Sequence, residues 1–434
     1  MNNYQLSQND IEKSIKTIDS PIHEFKKLLD FYSTFEKDIN FNVEVVGLKK
    51  LKEWKFDKAQ NFVHKSGRFF KVKRIKNINF ESGILDQSEI GVLAVFCTYI
   101  NNILHFLVQF KAEPGNYNNA QISPTIQATR SNYSKVHGGK TPPYWLELKS
   151  TNSNQIIFDS LQPEQGNRYW QKYNRNMLIF TNQLEEINNF KWMTLGQIYK
   201  FASKESSINS CLRSVLSLIY LSKKELKLDC DIRNITSEIN NLSEESKGEN
   251  WIENGVKKFY DSLSDSLIFK DSKNYFQIIG IKANIENREI NEWYQPIILE
   301  QNKFNYSLFR INLNNKNYYL WKPYKQPGSV FGYFYGPTVL DYNNISETEK
   351  LVSVFEKTFD IKLSTDVLMS EEGGRFYKNV ARHRIYDINV KNLNELSKEY
   401  EIFDENETLI LLEQRLLSME ARSIYFFSKN SGGF

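Results

Sequence analysis

The chain has 434 residues, 40% of them hydrophobic and 14% aromatic, enough for two or three domains with a sizeable core. Its 56 basic and 52 acidic residues leave a net charge of +4, which argues against nucleic acid or a membrane surface as partner. No apolar run is long enough to span a membrane, the first ten residues lack an apolar signal core, and Cys97, Cys211 and Cys230 show no metal or disulfide spacing, so a cytoplasmic protein with buried thiols is expected.

In chain order, Ile22, Phe25, Leu28, Leu29, Tyr32 and Phe35 recur at helical spacing and predict a helix over 22–35. Residues 91–99 and 103–110 are β-branched and aromatic runs around Asn101-Asn102, the signature of a hairpin. After Leu107–Phe110 the chain changes character. Residues 111–139 carry Glu113, Pro114, Gly115, Gln121, Pro124, Thr125, Gln127, Arg130, Tyr133, Lys135 and His137. Pro114 fixes φ and Gly115 permits positive φ, which predicts a tight turn presenting Glu113 at a cleft edge. So many donors and acceptors suit a sugar, and Arg130 suits phosphate oxygens bidentately. Thr194–Gln197 is a capping-box pattern, and Ile208, Cys211, Leu212, Val215, Leu218 and Ile219 recur at helical spacing beyond it. Arg213 and Arg422 lie on apolar helices and call for a buried partner, an ion pair before a ligand. The five histidines form no HxH or HxxxH pair, and no Rossmann, P-loop or GxSxG pattern is present. Neither a metal nor a cofactor is expected.

Much of the chain is written twice. Pro114-Gly115 matches Pro327-Gly328, and Pro124-Thr125 matches Pro337-Thr338, both at an offset of 213. Residues 164–169 resemble 371–376, Arg175 matches Arg382, 212–215 resemble 421–424, and 66–75 resemble 272–281. Residues 307–313 and 317–322 flank Asn314-Asn315 as a second hairpin. An α+β fold in two tandem repeats is expected, with domains 1–240 and 241–434 joined at the polar stretch 240–250. The second copy departs from the first. Gln326 stands where Glu113 stands, and nothing after Val339 matches Gln127, Arg130 or His137. Chemistry is therefore expected in the first copy. The second reads as a structural partner or a degenerate nucleotide site offering Trp321, Tyr324, Tyr333, Tyr335, Arg375 and Arg382.

The stretch "LVQFKAEPGNYNNAQISPTIQATRSNYSKVHGG" (107–139) resembles the signature of the NDP-hexose 2,3-dehydratase family. "HKSGRFF" (64–70), "QSEIGVLA" (87–94), "WMTLGQI" (192–198), "LRSVLS" (212–217), "REINEWYQPI" (288–297), "EEGGRFY" (371–377) and "MEARS" (419–423) match it in order. The resemblance implies a hydro-lyase on a nucleoside-diphosphate 4-keto-6-deoxyhexose, typically the dTDP sugar. It would remove water across carbons 2 and 3 and pass an unstable 3,4-diketo-2,6-dideoxy sugar to a 3-ketoreductase. It also implies two Nudix-like α+β repeats in a homodimer, although the Nudix box with its metal-binding Glu cluster is missing here. Base and acid would come from Glu113, Tyr133 and His137, in roles left open. Arg130 and Lys135 would hold the diphosphate, while Gln109, Gln121, Thr125, Gln127, Asn132, Arg168 and Arg175 would complete the substrate contacts. Gln326 departs from that family's pattern, in which the second repeat also keeps a Glu before Pro-Gly. The alternatives are a non-catalytic sugar-nucleotide binder and an isomerase working through the same enolate.

Overall fold

The structure is a computed structural model that describes the chain apart from residues 1–4, 77–80, 88, 130–140, 183, 223–251, 272–273, 287–289, 291, 315, 331, 342–345, 391–400 and 431–434. The expected linker at 240–250 and Cys230 therefore lie outside the described residues. Two seven-stranded sheets hold most of the core. The first runs Ile156–Pro163, Tyr173–Phe180, Gly91–Ile100, Ile103–Lys111, Phe190–Met193. Gln121–Pro124 is added against Ile103–Lys111, and Ile126–Ala128 against Gly91–Ile100. The second follows the same order: Asp360–Ser370, Val380–Asn389, Phe304–Leu313, Lys316–Lys325, Glu401–Asp404. There Tyr333–Gly336 lies against Lys316–Lys325, and Val339–Asp341 against Phe304–Leu313. Each sheet has one parallel pair at its centre, Gly91–Ile100 with Tyr173–Phe180 and Phe304–Leu313 with Val380–Asn389.

Local rules explain these elements. Asn101 and Asn102 have φ of 50° and 59°, the left-handed pair that a two-residue hairpin turn demands and Asn tolerates. Along Gly91–Ile100, Leu93, Val95 and Cys97 face one apolar cluster while Ala94 and Phe96 face another. Burial on both faces explains why the run reads as continuously apolar. The twice-written Pro-Thr has a structural use. Thr125 Oγ1 accepts from Phe96 N at 3.1 Å and donates to the Leu107 carbonyl, tying two strands together. Thr338 does the same between Phe309 N (3.0 Å) and the Leu320 carbonyl (2.6 Å).

The first predicted helix forms at Phe25–Asp38, three residues late, because Ile22 is exposed and Phe25 N is held by Asp19 Oδ1 at 2.8 Å. Thr194 and Gln197 form the expected capping box at Leu195–Phe201. Ser210–Ser217 and Met419–Ser428 pack together at the centre of the largest cluster. Arg213 and Arg422, both fully buried, correct the expectation of an ion pair. Arg213 Nε donates to Ser423 Oγ at 2.7 Å and Nη2 to the Ser370 carbonyl at 3.1 Å. Arg422 Nε donates to Ser214 Oγ at 3.2 Å and Nη2 to the Pro163 carbonyl at 2.5 Å. Burial draws both guanidiniums down to about 10, yet the forked donors reach a serine hydroxyl and a carbonyl at the end of a strand in each case.

Two smaller sheets flank the large ones and exchange strands. Ile252–Glu253, next to the second half, pairs with Lys71–Lys76 of the first. Phe41–Val46, ahead of the first half, pairs with Asn274–Ile285 of the second. No helix among the described residues is long and apolar enough to cross a membrane.

Candidate active site

Glu113 opens a tight turn closed by Asn116 N bonding the Glu113 carbonyl at 2.9 Å, as the Pro-Gly signal predicts. The reason for glycine is different from the one expected. Gly115 is not among the residues with positive φ. Its Cα lies against the other half of the chain, where an added Cβ would stand 1.8 Å from the Phe376 carbonyl oxygen. Gly115 N donates to the Gly373 carbonyl at 2.7 Å, and Lys378 N donates back to the Gly115 carbonyl at 2.7 Å. The second Pro-Gly repeats the contact in reverse. Gly328 N donates to the Gly166 carbonyl at 2.6 Å, and a Cβ on Gly328 would stand 1.7 Å from the Tyr169 carbonyl oxygen. Each Pro-Gly turn thus locks onto the E-x-G loop of the other half.

The lock builds a cavity of about 570 Å³ from both halves. The first half supplies Lys111, Glu113, Gln127, Glu164, Lys172 and Asn174, and the second supplies Glu372, Gly374, Arg375 and the segment Glu292–Gln295. Trp54, His64, Phe69 and Phe70 form an aromatic wall, with the Trp54 and Phe70 rings 4.9 Å apart. At the centre, Gln127 Nε2 reaches Glu113 Oε1 at 3.1 Å and Glu372 Oε1 at 3.2 Å. Lys111 Nζ is 3.0 Å from Glu113 Oε1, and Asn209 Nδ2 donates to Glu113 Oε2 at 3.3 Å. Glu372 Oε1 also accepts from Gly374 N at 3.1 Å.

The two carboxyls are not equivalent. Glu113 is 2% exposed but gathers Lys111 and two amides, donors that steady a carboxylate. Burial, and then the charge of Glu113, push Glu372 well above the usual carboxylate range. Burial also raises Glu164 and draws Lys172 down to about 8. A pair of carboxyls with opposed environments is the arrangement general acid–base chemistry requires. At the corresponding place across the repeat, Lys111, Glu113, Gln127 and Glu372 become Tyr324, Gln326 and Leu340 of the second half and Gln165 of the first, and Gln326 Oε1 merely accepts from Gly166 N at 2.9 Å. Among the described residues, no group of three His, Cys, Asp or Glu side chains is placed to hold a metal ion.

Of the residues singled out in the sequence, Glu113 and Gln127 meet in this cavity. Arg130, Asn132, Tyr133, Lys135 and His137 lie outside the described residues. Gln121 is a strut behind the site, donating to the Ser206 carbonyl at 3.1 Å and accepting from Asn209 Nδ2 at 3.2 Å. Thr125 is spent on the strand tie, and Gln109 does not line the cavity. Arg168 is 2% exposed and bidentate to Glu300 at 2.5 and 2.9 Å. Arg175 pairs with Asp159 on the surface, as Arg382 does with Asp366 at 2.6 Å. The stacking residues proposed for the second half are core. Trp321 is fully buried with Nε1 on Thr408 Oγ1 at 3.1 Å, and Tyr335 packs on Phe403 and donates to Glu401 Oε2 at 2.6 Å. Their aromatic faces are taken up by packing, so the structure corrects that assignment. Arg375 lines the Glu113 cavity instead. Glu372, Lys111 and Lys172 were missed. The signal for Glu372 was a carboxylate where the first copy carries Gln165.

Residues 25–219 and 260–426 match the model of the family described as NDP-hexose 2,3-dehydratase. The chain is 29% identical over 391 residues to a dTDP-4-dehydro-6-deoxy-alpha-D-glucopyranose 2,3-dehydratase of Saccharopolyspora spinosa, covering 80% of this chain and 79% of that protein. A protein of the same description from Amycolatopsis orientalis is 29% identical over 373 residues, covering 81% and 79%. One from Streptomyces violaceoruber is 26% identical over 371 residues, covering 78% and 82%.

Proposed function

The chain belongs to the NDP-hexose 2,3-dehydratase family and is a hydro-lyase acting on a sugar nucleotide; from that premise we propose that its substrate is dTDP-4-keto-6-deoxyglucose and that Glu113 and Glu372 carry the reaction. The ketone at carbon 4 acidifies the hydrogen on carbon 3. Glu113, held by Lys111 and two amides, takes that proton, and the electron pair moves onto the carbon-4 oxygen. Lys111 is the cation at hand to steady this enolate. As the ketone re-forms, the carbon 2–oxygen bond breaks, and Glu372, whose hold on a proton is strengthened by burial and by the charge of Glu113, delivers that proton so that water leaves. The resulting enol takes a proton at carbon 2, gives up the one on its carbon-3 hydroxyl, and becomes the 3,4-diketo-2,6-dideoxy sugar. Gln127, bonded to both carboxyls, sets their spacing and is the observation that carries this reading.

The test is incubation with dTDP-4-keto-6-deoxyglucose and a 3-ketoreductase, with mass analysis for the loss of one water. Glu113→Gln and Glu372→Gln should each lower kcat roughly a hundredfold or more. Near-normal turnover by either variant removes that residue from its role. Exchange of the carbon-3 hydrogen for deuterium with no loss of water would instead indicate an isomerase.

We further read the two large sheets, with their shared strand order, as two Nudix-like repeats, only the first of which keeps a charged site. The family resemblance supports a homodimer that passes its product to a 3-ketoreductase. Buried free thiols at Cys97 and Cys211 are in keeping with work in the cytoplasm.

A further inference from the structure

We infer that Arg375 anchors the diphosphate of the substrate, and that a carboxylate-to-amide replacement at position 87 is what leaves it open to do so. The inference rests on the cavity being the sugar-nucleotide site. The two halves build one arginine twice. Arg168 accepts from Leu85 N at 2.8 Å through its carbonyl, and Arg375 accepts from Ile298 N at 2.9 Å. Each guanidinium lies over a phenyl ring, Arg168 at 4.2 Å from Phe276 and Arg375 at 4.7 Å from Phe70. Each Nη1 donates at 2.9 Å to the carbonyl of the preceding residue.

The pair differs in what faces it. Arg168 is closed by Glu300, which takes both Nε and Nη2. At an offset of 213 from Glu300 stands Gln87, whose Nε2 turns to Glu89 Oε1 at 3.0 Å. Among the described residues no carboxylate lies within ion-pair distance of Arg375, and its Nε has no hydrogen-bond partner. A half-buried guanidinium in a cavity, with part of its fork unused, fits an anion that arrives with the ligand. Its position suits a diphosphate. Arg375 follows Glu372 by three residues on one turn, and its ring partner Phe70 belongs to the aromatic wall with Trp54. It therefore stands between the reacting carboxyls and a surface able to stack a base, as a diphosphate stands between sugar and nucleoside. The diphosphate would occupy the place that the Glu300 carboxylate takes in the other half.

The test copies that carboxylate. Gln87→Glu should close Arg375 in an ion pair, weakening the binding of dTDP, measured by calorimetry, by about tenfold or more, and raising KM more than it lowers kcat. Arg375→Gln should weaken dTDP to a similar extent, and combining it with Gln87→Glu should add little. Glu300→Gln, which breaks the corresponding pair in the other half, should leave dTDP affinity unchanged. Unaltered dTDP affinity in both Gln87→Glu and Arg375→Gln overturns the inference, as does a fall in kcat with affinity intact. Should the wild-type protein bind dTDP without dehydrating the sugar, the reaction reading fails while the affinity ratios still decide the role of Arg375.

Discussion

Glu113 and the half-buried Glu372 lie one amide apart, and the proposed reaction makes them the source of a pH dependence. If Glu372 is the acid, it must be protonated, so kcat should fall as pH rises through its elevated titration point, and a pH–rate profile should show that alkaline limb. A kcat that is flat to high pH would assign the proton elsewhere. Glu371, next in the chain, titrates for stability and not for turnover. Burial, opposed by Arg213, raises its carboxyl from 4.5 to about 7, and it is held by Tyr306 (3.1 Å) and Gln165 (2.8 Å). A carboxyl raised on folding stabilises the native state fully below its unfolded value, and that contribution is lost as pH rises through the folded one. Thermal stability should therefore decline between about pH 4.5 and 7, by at most about 1.4 kcal/mol per pH unit from this group. Glu371→Gln should flatten that decline, and an unchanged slope in melts across the range would exclude Glu371 as its source. Glu113 and Gln127 were legible in the sequence because they sit in one dense polar segment. Lys172 was not, because a single lysine among many reveals nothing until burial is known.

At the scale of elements, the twice-written Pro-Gly is a clasp between halves. Gly115→Ala and Gly328→Ala each drive a methyl into a backbone carbonyl of the facing half, less than 2 Å away, so each should destabilise by more than about 3 kcal/mol. Gly67→Ala is the control. Its φ of +67° carries backbone strain, but nothing lies within 4 Å of the added Cβ, so about 1–2 kcal/mol is expected. Urea melts of the three variants compare the values directly, and equal losses would remove the clasp. The Asn-Asn hairpin and the Thr194–Gln197 cap were readable because their signals and their bonds lie within a few residues. The Pro-Gly signal was also readable as a turn, but its physical reason was hidden, since the carbonyl that excludes a Cβ belongs to the distant half.

Across the whole molecule, the smaller sheets and the clasp join what the sequence presents as consecutive units. Phe41–Val46 completes a sheet of the second half, Ile252–Glu253 extends one of the first, and Arg213 and Arg422 bond serines on each other's helices. Fragments 1–240 and 241–434 made separately should fail to give cooperative melts, because each leaves sheet edges and the shared helical core uncovered. Co-expressed, they should associate and recover dTDP binding. Two independently folded, cooperatively melting fragments would show that the exchanged strands contribute little.

The family, the first hairpin and the Thr194–Gln197 cap followed from the order of residues alone, because motifs, turn chemistry and alternation act over short stretches of chain. The composite site did not. Gln127 and Glu372 are separated by 245 residues, and no periodicity relates them. Only the reciprocal packing of the two halves brings Glu372 and Arg375 beside Glu113 and sets which arginine has a carboxylate in front of it, while packing within each half withdraws Trp321, Tyr335 and Thr125 into the core. Burial and neighbouring charge, which decide whether such groups stabilise the fold or act on a ligand, exist only once the chain has folded back on itself.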